Sequence, residues 1–177
     1  MTNDDETVFI VDDEEPVRRS FKYLLESVKL RVEAFESAEA LLKKLTPTAH
    51  GCIVLDVRMP GISGPELMDH LTGIGLTIPI IFLSAHGDVP LAVRAMRGGA
   101  IDFLQKPPNS QVFLECVRRA LASDRQARQE RAEIAVVNER LNGSAKFWSA
   151  WSPGRATRPS HANSTCVTRP SRRIAGA

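Results

Sequence analysis

Three unbroken apolar runs stand out along the first hundred residues. Residues 8–11 (VFIV) run into Asp12 and Asp13, residues 52–55 (CIVL) run into Asp56, and residues 78–83 (IPIIFL) run into Ser84. Short runs of this kind, bounded by turn residues, read as strands buried on both faces. Residues 31–35 (RVEAF) alternate and read as a half-buried strand, and residues 102–104 (DFL) form a further short one. Between these runs the apolar spacing changes to that of helices. Val17, Phe21, Leu24, Leu25 and Val28 follow Pro16, a favourable first-turn residue. Ser37 can cap a helix through Leu41, Leu42 and Leu45. Residues 65–71 and 91–96 predict two more helices, the second closed by Gly98 and Gly99, and a long helical stretch begins near Ser110.

Five strands alternating with five helices predict an α/β fold: a (βα)5, doubly wound, five-stranded parallel sheet covered on both faces. Ligands of such sheets bind beyond the C-terminal strand ends, where the connections diverge. Asp12, Asp13, Asp56, Ser84 and Lys106 sit just past those ends. No repeat of 20–50 residues is present.

Composition narrows the class. No apolar run reaches the roughly 18 residues that a membrane span needs. The acidic N-terminus (MTNDDE) is unlike a secretory or organellar signal, so the expected location is cytoplasmic. Cys52, Cys116 and Cys166 are odd in number and lack a CxxC arrangement, which argues against a disulfide framework or a zinc site. Cys52 and Cys116 lie in apolar surroundings and read as buried small hydrophobes. The net charge of +2 divides into −4 over residues 1–141 and +6 over residues 142–177.

The strand-end residues carry a coherent chemistry. Three carboxylates gathered at one edge repel each other unless a cation joins them. A hard divalent cation such as Mg2+ suits oxygen ligands. Asp56 can act as a nucleophile toward phosphorus, Ser84 can donate to a phosphoryl oxygen, and Lys106 can supply a point charge to another. Neither GxGxxG nor GxxxxGK[ST] occurs. Taken singly, each residue fits a helix cap, a turn or a solvated lysine. Their order along the strands is what points to phosphoryl chemistry.

Residues 8–14 (VFIVDDE), 54–64 (VLDVRMPGISG), 82–88 (FLSAHGD) and 99–107 (GAIDFLQKP) resemble the receiver domains of two-component response regulators, whose fold is of the CheY/flavodoxin type. The similarity covers about residues 5–123, and residues 85–107 look most like the FixJ-type transcriptional regulators. The resemblance implies that Asp56 accepts a phosphoryl group from a sensor histidine kinase. It implies that Asp12, Asp13, Asp56 and the Arg58 carbonyl hold Mg2+, and that Ser84 and Lys106 contact the phosphoryl group. It implies a switch through Ser84 and Phe103 that reshapes the surface of the fourth helix and fifth strand, the expected homodimer contact, and a cis Lys106–Pro107 bond. Such a protein is not an enzyme beyond its own phosphorylation and slow dephosphorylation. Pro108 stands where these regulators usually have Phe, and Phe103 where some have Tyr. A phosphohydrolase of the haloacid-dehalogenase type would need an acid where this chain has Arg58.

Residues 124–141 predict a helical linker, with Ile134, Val137 and Leu141 as an apolar stripe. A solvated helix and a weak coiled-coil contact both fit it. Residues 142–177 lack periodicity and acidic groups and are expected to be a disordered basic tail. FixJ-type regulators carry a helix-turn-helix domain here, which this tail does not match. Permitted codons for residues 146–156 (KFWSAWSPGRA), read one base earlier, can give E-V-L-E-x-V-V-A-G-x-x. Those for residues 157–173 can give N-K-T-I-A-x-E-L-x-V-x-x-K-T-V-E-A. Both strings are close to a helix-turn-helix of that family, so the tail reads as an out-of-frame remnant. DNA binding by this chain is then not expected. The alternative output is a stand-alone receiver that relays phosphate or works through protein contacts.

Overall fold

The computed structural model describes residues 6–87 and 89–150, with side chains through residue 135. The elements run β1 (Thr7–Val11), α1 (Glu15–Ser27), β2 (Arg31–Phe35), α2 (Ala38–Lys44), β3 (Gly51–Asp56), α3 (Gly64–Gly73), β4 (Ile80–Ser84), α4 (Val89–Arg97), β5 (Asp102–Gln105) and α5 (Ser110–Ala150). All five strands are parallel, in the order β2-β1-β3-β4-β5. The expected doubly wound sheet is therefore present. Its connections diverge between β1 and β3, the switch point where ligands of open sheets bind.

Strand alternation divides the core in two. Phe9, Val11, Ile53, Leu55, Ile80 and Phe82 face one side, where α2, α3 and α4 contribute Leu41, Leu67 and Ala95. Val8, Ile10, Cys52, Val54, Ile81 and Leu83 face the other, against Phe21 and Leu25 of α1 and Phe113, Val117 and Leu121 of α5. The Phe21 and Phe113 rings lie 4.7 Å apart and join those two helices. Burial on both faces explains why the central strands read as continuous apolar runs. Edge strand β2 keeps exposed residues at Arg31 and Ala34. Cys52 and Cys116 are buried, as expected.

Several boundaries differ from the sequence expectation. β4 starts at Ile80, because Pro79 has no N–H for the ladder, although its carbonyl accepts from Ile53 N at 2.9 Å. α4 starts at Val89, with Pro90 in the first turn, where a missing N–H costs nothing. Ser37 caps α2 as expected, its Oγ accepting from Ala40 N at 3.2 Å. The helical character expected to end at Leu141 continues to Ala150. A single glycine such as Gly143 costs a helix only about 1 kcal/mol relative to Ala. The rest of the tail, residues 151–177, lies outside the described residues.

Two units, Met1–Ala135 and Val136–Ala177, divide the chain. The first carries more of α5 than the expected domain end at residue 123. Asp124 is buried and accepts from Gly51 N at 3.1 Å, and Arg128 Nε lies 3.1 Å from the same oxygen. Arg125 and Arg128 reach the buried Glu6 at 2.8 and 2.9 Å, and Arg131 bonds Thr77. These contacts pin α5 to the sheet edge opposite the strand ends that carry the acids. Of the second unit, the structure describes only helical residues 136–150.

Candidate functional site

The register brings the candidate residues together. Val11 pairs with Leu55, so Asp12 and Asp56 leave neighbouring strands at one level. Asp56 pairs with Leu83, which puts Ser84 one strand further along. Lys106 follows the last residue of β5, and its N–H donates to the Ser84 carbonyl at 2.7 Å. The Lys106–Pro107 bond is cis.

The Lys106 ammonium lies between two carboxylates, 2.6 Å from Asp12 Oδ2 and 3.0 Å from Asp56 Oδ1, with Glu14 at 4.0 Å. Asp12 and Asp56 are buried, and Asp13 is exposed. Burial pushes the Asp56 carboxyl above its ordinary range; Lys106 pulls it down, while Asp12 and Asp13 push it further up. Burial works to lower Lys106, but its bonds to Asp12 and Asp56 outweigh that and hold it above the usual lysine value. Asp12 Oδ1 accepts from Glu14 N at 2.9 Å, and the Asp12 carbonyl accepts from Arg18 at 2.6 Å.

Carboxylate oxygens of Asp12, Asp13 and Asp56 lie within 4.8 Å of one another. Asp12 Oδ2 is buried and has no well-aligned hydrogen-bond donor, although it faces the ammonium. Three hard oxygen donors this close together fit a divalent cation such as Mg2+. Asp13, Asp56, Arg58, Ser84, His86 and Lys106 line a cavity of about 250 Å³, room for a small anion.

The Ser84 hydroxyl is turned toward its own loop, donating to the His86 carbonyl at 2.8 Å and accepting from His86 N at 3.3 Å. Phe103 is half-buried, with its ring 6.5 Å from that of Phe82. At the start of α3, a Cβ on Gly64 would meet the Asp56 carbonyl oxygen at 2.4 Å and the Phe82 ring at 3.0 Å. Only glycine lets that helix begin directly against the acid. Sequence reasoning missed Glu14, Arg18 and His86. Arg18 and His86 act through or upon backbone carbonyls, for which a side-chain pattern carries no signal.

A doubly wound parallel sheet with an acid–lysine pocket at its switch point defines the class of this domain. The model for the response regulator receiver domain matches residues 8–118, and the chain belongs to that family. It is 45% identical to nodulation protein W of Bradyrhizobium diazoefficiens over 128 residues, 72% of this chain and 56% of that protein. It is 47% identical to the transcriptional regulatory protein FixJ of Azorhizobium caulinodans over 137 residues, 77% of this chain and 64% of that one. Among solved structures, the response regulator StyR superposes with a TM-score of 0.74 at 43% identity, covering 78% of this chain and 70% of that one. The chain thus spans 56 to 64% of these two curated relatives. Among the described residues, no helix is long and apolar enough to cross a membrane.

Proposed function

We propose that this chain is a phosphorylation-controlled receiver whose phosphoacceptor is Asp56. The observation that carries the reading is the ammonium of Lys106, which touches both Asp12 and Asp56 at the rim of an anion-sized cavity. An oxygen of Asp56 attacks the phosphorus of a phosphohistidine on a sensor kinase. The P–N bond breaks, its electron pair returns to the imidazole, and an acyl phosphate forms on Asp56. Mg2+, when bound by Asp12, Asp13, Asp56 and the Arg58 carbonyl, would neutralise charge on the transferring group. Lys106 then donates to a phosphoryl oxygen, exchanging a carboxylate partner for a phosphate one.

The same change offers Ser84 a stronger acceptor than the His86 carbonyl. As its hydroxyl turns toward the phosphoryl group, Phe103 gains room to move inward, and the surface of α4 and β5 changes shape. That surface is the candidate contact for a homodimer or a downstream partner. Protein signalling in the cytosol fits this reading better than turnover of a substrate. The test is incubation with Mg2+ and a small acyl-phosphate donor. The wild-type chain should gain one phosphoryl group by mass, and Asp56→Ala none; undiminished uptake by Asp56→Ala would sink the assignment.

A further inference from the structure

The loop between β3 and α3, residues 57–63, carries Arg58 beside the acidic cavity. Its ends are tied to β4 and to the start of α3. Val57 N donates to Leu83 O at 2.9 Å, Gly64 N donates to Val57 O at 3.1 Å, and Glu66 accepts from Ser63 N at 2.9 Å and Ser63 Oγ at 2.7 Å. A further tie comes from a different element. Glu39, in the first turn of α2, accepts from Ile62 N through Oε1 at 3.3 Å.

Several features show that this contact is built in. Gly61 has φ of +78°, and a Cβ there would lie 2.6 Å from Glu39 Oε1. The positive φ favours glycine at the point where the carboxylate closes over the loop. The nearby Glu39 backbone N–H and Ser37 side chain, with the bond from Ile62, favour the charged form and hold the Glu39 carboxyl below the usual range. An anion in a first helical turn is also favoured by the helix dipole.

We propose that Glu39 is a positioning residue for the phosphoacceptor site, clamping residues 61 and 62 so that the Arg58 backbone stays in register with Asp12, Asp13 and Asp56. The proposal rests on the metal-assisted reading above. Glu39 touches neither the cation nor the phosphoryl group; it fixes the strip of backbone that does. Removing groups that orient a metal ligand typically weakens metal binding by about 10- to 100-fold.

Isothermal titration of Mg2+ into the full chain, without phosphodonor, tests this. Glu39→Ala should weaken Mg2+ binding by roughly tenfold. It should also speed hydrogen exchange at the Ile62 amide. Glu39→Gln keeps an acceptor oxygen and should stay within about threefold of wild type, since a neutral acceptor forms a weaker bond but the same geometry. At saturating Mg2+, both variants should reach the wild-type extent of phosphorylation. Unchanged affinity in Glu39→Ala would overturn the proposal, and so would equal losses in the two variants, which would trace the effect to charge alone. A wild-type chain that binds no Mg2+ would overturn the metal-assisted reading and this proposal with it. Normal wild-type binding with an indifferent Glu39→Ala would overturn only the role of Glu39.

Discussion

Asp56 sits where its own charge is unwelcome. Burial outweighs the pull of Lys106, and Asp12 and Asp13 add repulsion. Because the folded state raises its pKa above the ordinary 3.8, the ionised group costs stability once the pH exceeds that value. The cost grows until the pH passes the folded-state value and is constant beyond it. Asp56→Asn, which keeps the shape and drops the charge, should therefore be more stable than wild type at pH 7 in chelator. The advantage should vanish below pH 3.8. Urea unfolding across that range is the measurement; an advantage that persists undiminished in acid would contradict it. At this scale the site was largely legible in the sequence, because Asp12, Asp56, Ser84 and Lys106 each fall at a strand end and strand order alone gathers them. The Glu39 tie to Ile62 was not legible. It joins an exposed-looking acid to a backbone amide 23 residues away, and no spacing rule connects the two.

At the scale of elements, the strands followed from their apolar runs, and the two-sided core followed from their alternation. The extent of α5 did not. Residues 124–131 are rich in Arg and Gln and have the composition of a solvated linker, yet Asp124, Arg125 and Arg128 meet Glu6 and Gly51 across the chain. Such pairs are set by where the helix lands on the sheet, which its own sequence does not encode. The Glu6 side chain is 6% exposed, and its partners Arg125 and Arg128 are 43% and 25% exposed, so the network lies between surface and buried ion pairs. Glu6→Ala should cost about 2 kcal/mol, between the values typical of those two classes. Denaturant unfolding would show it, with faster amide exchange over residues 124–131. A loss confined to global stability, with unchanged local exchange, would deny the network its part in holding α5.

At the scale of the whole molecule, the receiver accounts for about two thirds of the chain, and the relatives it matches are longer. The name of FixJ describes a transcriptional regulator. Residues 142–177 do not carry the helix-turn-helix pattern, so they are not expected to read DNA sequence. An electrophoretic shift assay with the 177-residue chain, phosphorylated or not, should show no sequence-specific complex at physiological salt. A specific complex that strengthens on phosphorylation would reverse that view. The basic charge of the tail gives a clear contrast, because binding from charge alone would be indifferent to sequence and would fade steeply with added salt.

The fit of Gly64 against the Asp56 carbonyl bears on how a library of variants of this protein would be read. Position 64 has no side chain with which to donate, accept or hold a ligand, yet every larger residue there must move the Asp56 carbonyl or the Phe82 ring. A screen that scored only signalling would therefore rank Gly64 with Asp12 and Lys106. It would take the absence of a methyl group for a chemical role.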